Sequence, residues 1–359
     1  MKKDGFLGYV HSFRGFAILN IVAIHAFAFA IVIPANFDPD TTAPMHVFNE
    51  MLFHDSTLYF ALISGLLFSS ILRSRGYRRF YQSKMVYVVS PYVFCTVIFS
   101  VLRWNTEGTG LLALPPDISE YMGSIVPNLL NGEAQFTYWY IPVLLFMFAI
   151  TPLLSKFAEA KSWAAIPVWI IMLLPLVFSR PVFEEGVNQV DAGTLIYFTG
   201  AYTLGLYLGD KLEARLDAIA LFRKHLIAMA VVTSLVLVVL GFTGINRFGF
   251  FSLQESIFYV QKLCFAALVL LWLRGLGQNQ PRWLTTFANE AFTIYFLHVF
   301  FMLLLAEIFW TLLHNTEHQP LSIYLSGPIY FAVTLIMSML VVYLLRLVVG
   351  KRSRILIGS

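Results

Sequence analysis

Arg14 and His25 are the first residues whose types and spacing could do chemistry, because both lie inside one long apolar run. An ionisable side chain within a lipid-spanning helix is costly to place, so each is a functional candidate by default. Eleven residues are close to three helical turns, which sets the two side chains on one face about 16 Å apart. An arginine fork pairs with a phosphate or a carboxylate, and a buried imidazole can take up and return a proton. Together they describe a polar face leading from the inner end of a helix toward its middle. Each also has a plainer reading: Arg14 can snorkel to the interface, and His25 can be a packing residue with both nitrogens satisfied.

A late apolar run repeats the pattern, with Asn289-Glu290 at its inner end and His298 eight residues deeper. A second polar helix is therefore expected on the same cavity, with Glu290 as a helix-end partner or an interfacial charge. His54 and Asp55 open another run, followed by Ser56, Thr57 and then Ser64-Gly65. Asp55 can cap the helix amides or orient an imidazole such as His25. The run Arg73-Ser74-Arg75-Gly76-Tyr77-Arg78-Arg79, closed by Lys84, is the densest basic stretch in the chain. Such density attracts a polyphosphorylated ligand, although the charge bias of membrane-flanking loops would by itself account for it. Cys95 and Cys264 lie inside apolar runs and read as small hydrophobes, and no metal site is expected.

The elements that must position these residues are membrane helices. Of the 359 residues 58% are hydrophobic and only 12% charged, with a mean hydropathy of +0.74, whereas soluble domains carry roughly a quarter charged residues. Runs long enough to cross a bilayer fall at roughly 13–33, 56–72, 85–102, 139–155, 163–179, 193–209, 226–243, 257–273, 289–310 and 327–349. The expectation is an all-α, polytopic membrane protein with about ten transmembrane helices, forming one domain over 1–359 with an extracytoplasmic loop at about 103–138. Basic residues gather in alternate connections and in the tail Lys351-Arg352-Ser353-Arg354, while acids fill the opposite ones. That asymmetry places both termini in the cytosol. It also explains the +4 net charge without nucleic acid, and no basic surface with interleaved stacking aromatics is apparent.

These residues resemble the acyltransferase-3 family of integral membrane O-acyltransferases, over essentially the whole chain. The match is most specific in Phe13-Arg14-Gly15-Phe16 through His25, and continues in Asp55 through Tyr59-Phe60 to Ser64-Gly65. Arg75-Gly76-Tyr77-Arg78 is similar to the family's arginine-x-x-arginine spacing, Trp139-Tyr140-Ile141-Pro142 to its aromatic helix start, and Tyr295-Phe296-Leu297-His298 to its late tyrosine-x-x-histidine motif. Two positions depart from the pattern: His11 stands where an acid is usual and Lys84 where an arginine is common. The resemblance implies a bacterial inner-membrane enzyme that moves an acyl group, acetyl above all, from cytosolic acyl-CoA to a hydroxyl of a cell-surface carbohydrate, lipid-linked or free. No permanently bound cofactor is implied. His25, Asp55 and His298 become the catalytic candidates, with His25 acting as a base or as an acyl carrier. Arg14, Arg73, Arg75, Arg78 and Arg79 become the acyl-CoA contacts. The competing class is a secondary transporter or exporter of a sugar or acyl compound, which should show an internal repeat with broken helices.

Overall fold

The computed structural model describes residues 7–32, 39–101, 117–160, 165–180, 189–244, 247–313 and 323–358. Among these the chain is helical apart from one short hairpin, Arg247–Phe248 paired with Phe251–Ser252. Eight helical stretches are long and apolar enough to cross a membrane: Gly8–Ile31, Ala43–Arg75, Tyr77–Phe99, Tyr140–Glu159, Arg223–Thr243, Leu253–Gly275, Ala291–Ile308 and Leu325–Val349. The chain is an all-α, multi-pass membrane protein.

The other two expected spans take different forms. The run at 163–179 yields only a short apolar helix, Ile166–Leu176, which includes Pro167 and Pro175. The run at 193–209 is a full helix, Ala192–Asp210, but it is rich in Thr, Gly and Tyr. Its buried positions run consecutively from Tyr197 to Thr203, all the way round the helix. A helix enclosed by protein needs no apolar exterior, so its hydropathy is lower than that of a lipid-facing neighbour.

The helices gather into two compact units. One comprises residues 1–17, 55–83 and 143–288, the other 18–54, 84–142 and 289–359. In the first unit the central contact joins Thr57–Leu67 to Ala192–Asp210, and glycine makes it possible. A Cβ on Gly65 would lie 2.1 Å from the Tyr202 carbonyl oxygen, and one on Gly205 would lie 2.1 Å from the Leu62 oxygen. Small residues of this kind let backbones approach where lipid supplies no hydrophobic drive between helices.

In the second unit, helix Ile118–Asn131 begins on an Asp117 side chain that accepts from Ser119 N and ends at Gly132, whose φ is +69°. This helix belongs to the connection expected at 103–138, of which 103–116 lies outside the described residues. Its Ile118, Met122, Val126 and Leu130 are all exposed and repeat every four residues. An apolar stripe on a helix of this kind suits the plane of the bilayer surface.

Candidate active site

The first helix, Gly8–Val32, is unbroken over 25 residues and carries both Arg14 and His25. Arg14 is half-buried. The residue after it is glycine for a steric reason: a Cβ on Gly15 would meet the Leu284 carbonyl oxygen at 2.1 Å, so the helix lies backbone to backbone against Arg282–Asn289.

His25 stands in the second unit, among aromatic and imidazole rings. The Phe136 ring meets it edge-on with centroids 5.1 Å apart, and the His298 ring lies 5.5 Å away, tilted by 36°. Helix Ala291–Leu313 carries His298 and also anchors the segment bearing Phe136. The Tyr138 hydroxyl donates to the Phe296 carbonyl at 2.8 Å, and the Tyr295 hydroxyl donates to the Thr137 carbonyl.

His298 is fully buried. Its Nδ1 sits 2.7 Å from the Tyr295 carbonyl oxygen and 3.0 Å from that of Ile294. Carbonyls only accept, so Nδ1 carries the hydrogen and Nε2 holds the lone pair in the neutral ring. Among the described residues Nε2 has no hydrogen-bond partner. A buried nitrogen that makes no hydrogen bond among the described residues therefore sits on a ring whose centre is 5.5 Å from that of a second imidazole. At the other end of this segment the buried carboxylate of Glu290 accepts from Arg346 at 2.6 Å. Glu290 is thus one half of an ion pair with helix Ile323–Val349.

Asp55 belongs to the first unit and has its own company. Its carboxylate is fully buried, 2.6 Å from the Arg180 guanidinium on one oxygen and accepting from the Tyr197 hydroxyl at 2.6 Å on the other. Arg180 also donates from Nε to Glu255 at 3.1 Å. Burial alone would lower the pKa of the guanidinium, but the two carboxylates reverse this and hold it above its ordinary range. Asp55 has a φ of +55°, which makes it the one non-glycine residue in the left-handed region among those described. Such a conformation costs about 1–3 kcal/mol and persists where surrounding contacts enforce it; the Arg180 and Tyr197 bonds are those contacts.

The arginine-rich turn also lies in the first unit. Gly76, at φ +82°, reverses the chain. Tyr77 bonds the Ser155 hydroxyl at 2.9 Å, Tyr81 donates to the Phe148 carbonyl at 3.1 Å, and buried Phe80 packs edge-on against Phe68 and Phe148. The aromatic residues pin the turn while Arg75, Arg78 and Arg79 stay exposed. Arg73 is engaged differently, paired with Glu159 and 3.6 Å from Asp210.

A family model for an acyltransferase domain, Acyl_transf_3, matches residues 7–347. The chain belongs to the acyltransferase-3 family. No curated protein and no solved structure matches it. Within this family member the structure brings His25 and His298 together in the second unit, and in the first unit it sets Asp55 in a buried charge network with Arg180, Tyr197 and Glu255.

Several polar residues escaped the sequence reading. Arg180, Tyr197 and Glu255 were invisible as a group because they come from three distant segments. Gln135, 5% exposed, has neither amide atom hydrogen-bonded among the described residues, and it adjoins Phe136 in the chain. Lys262 is fully buried within helix Leu253–Gly275, its ammonium 5.7 Å from the centre of the Phe265 ring. A lysine inside an apolar run was a signal present in the sequence.

Proposed function

We propose that this protein is a bacterial inner-membrane O-acyltransferase that moves an acyl group, acetyl foremost, from cytosolic acyl-CoA to a hydroxyl of a cell-surface carbohydrate. The observation that carries the proposal is the His25–His298 pair, with the lone pair of His298 fixed on Nε2. In this reading the exposed Arg75, Arg78 and Arg79 attract the donor's phosphates from the cytosol, with Arg73 beside them and Arg14 further along the first helix. Phosphate recognition by arginine forks needs no other chemistry.

His25 then attacks the thioester carbonyl through its unprotonated nitrogen. The carbon–sulfur bond breaks, the acyl group stays on His25, and the proton from the other His25 nitrogen passes by way of His298 to the departing thiolate. A carbohydrate hydroxyl then takes the acyl group from His25, which regains a proton. The Gln135 amide is the candidate donor to the tetrahedral oxyanion, where one well-placed donor is worth about 10²–10³ in rate. Asp55, held by Arg180 and Tyr197, has no part in this step.

Transport would use polar groups at mid-membrane too, so the deciding experiment separates the two outcomes. Inverted membrane vesicles containing the protein are offered radiolabelled acetyl-coenzyme A. Label bound covalently to carbohydrate is expected. Uptake of label with no covalent product would mean a transporter.

A further inference from the structure

Gln135 and Phe136 lie in the non-helical turn that follows Gly132, where no helical ladder fixes the backbone. Within the turn, the Tyr138 amide donates to the Gln135 carbonyl at 2.9 Å. This turn nonetheless brings a ring against the central imidazole: Phe136 packs on two rings of the first helix, His25 and Phe29, with centroids 5.1 and 6.1 Å apart. Side chains from another element must therefore hold it in place.

Helix Ala291–Leu313 supplies that hold through a reciprocal pair of hydrogen bonds. The Tyr295 hydroxyl donates to the Thr137 carbonyl, and the Tyr138 hydroxyl returns a bond to the Phe296 carbonyl at 2.8 Å. The two tyrosine rings stack with centroids 6.4 Å apart. Both side chains are buried, and a buried phenol left without its partner is costly, so the two bonds are firm tethers. Tyr295 has a second task. Its own carbonyl accepts from Nδ1 of His298 at 2.7 Å, and its ring lies 6.0 Å from the His298 ring. One residue is thus tied to both imidazoles, to His298 directly and to His25 by way of Thr137 and Phe136.

We infer that Tyr295 is a positioning residue of the transfer, setting the His25 ring against His298 through the turn that carries Phe136. The inference rests on the acyl-transfer reading and adds to it the group that keeps the nucleophile and its proton carrier in register. Attack on a thioester needs the reacting atoms within about 3–3.5 Å of each other, and a misplacement of about 1 Å can cost on the order of 100-fold in rate. In this role the Tyr295 hydroxyl touches neither donor nor acceptor. Its loss therefore changes turnover and leaves donor affinity alone.

The test follows the full-length protein in membrane vesicles, measuring initial rates of host-membrane carbohydrate labelling against the concentration of radiolabelled acetyl-coenzyme A, per amount of folded protein. Tyr295→Phe keeps the ring and the backbone carbonyl and removes only the hydroxyl. Its kcat should fall about 10- to 100-fold, while KM for acetyl-coenzyme A stays within about twofold of wild type. Phe136→Leu should lower kcat to a similar degree. Because the tyrosine acts through Phe136, the double variant should lose little beyond Phe136→Leu alone. An unchanged kcat in Tyr295→Phe, a raised KM with kcat unchanged, or losses that multiply in the double variant would overturn the assignment. If Tyr295→Phe does not accumulate in the membrane, Tyr138→Phe, which removes the reciprocal bond, gives the same comparison. A wild-type protein that labels no carbohydrate would instead sink the acyl-transfer reading itself.

Discussion

At the scale of single residues, the molecule separates ionisable groups by the company they keep. His298 has one nitrogen tied to backbone and one without a partner among the described residues, which leaves it a lone pair for proton transfer. Asp55 has both oxygens engaged, and Arg180 spans two carboxylates. That network should show itself in stability. Arg180→Met removes the cation and leaves two carboxylates largely buried, a change that costs about 3–5 kcal/mol when a buried pair is broken. The expected result is a clear drop in the thermal midpoint of the detergent-solubilised protein. An unchanged midpoint would mean that Arg180 does not hold Asp55 in its left-handed conformation. The candidates at Arg14, His25 and His298 were legible in the sequence because a charge or imidazole in an apolar run stands out. Arg180, Glu255 and Gln135 were not, since a polar residue at a helix end or in a turn looks like any other until the fold gives it neighbours.

At the scale of elements, apolar runs marked Ala192–Asp210 alongside the eight long apolar helices, but not that protein encloses it. Its Thr, Gly and Tyr residues are suited to close contact with other helices. The reciprocal glycine contacts at Gly65 and Gly205 make a direct test possible. Gly205→Leu forces a side chain into the Leu62 backbone and should destabilise the protein by at least the 1–3 kcal/mol or so typical of overpacking. Gly123→Ala is the control. Its Cβ would meet nothing within 4 Å, so it should be neutral or stabilise the helix by about 0.5–1 kcal/mol. Thermal melts of both variants check the pair, and equal midpoints would contradict the close approach of the two helices. The arginine turn was legible as a basic run, but its shape was not. The Gly76 reversal and the aromatic pins at Tyr77, Phe80 and Tyr81 depend on partners some seventy residues away.

At the scale of the whole molecule, membership in the acyltransferase-3 family and eight long apolar helices among the described residues agree with a composition that is 58% hydrophobic and 12% charged. Every part of the proposed chemistry passes through one atom group, the ring of His25. The most direct measurement is carbohydrate acylation by purified His25→Ala reconstituted in lipid vesicles with acetyl-coenzyme A, beside wild type. The variant should insert and melt as wild type does while transferring no detectable acetyl group. Transfer at the wild-type rate by a folded His25→Ala protein would contradict the account.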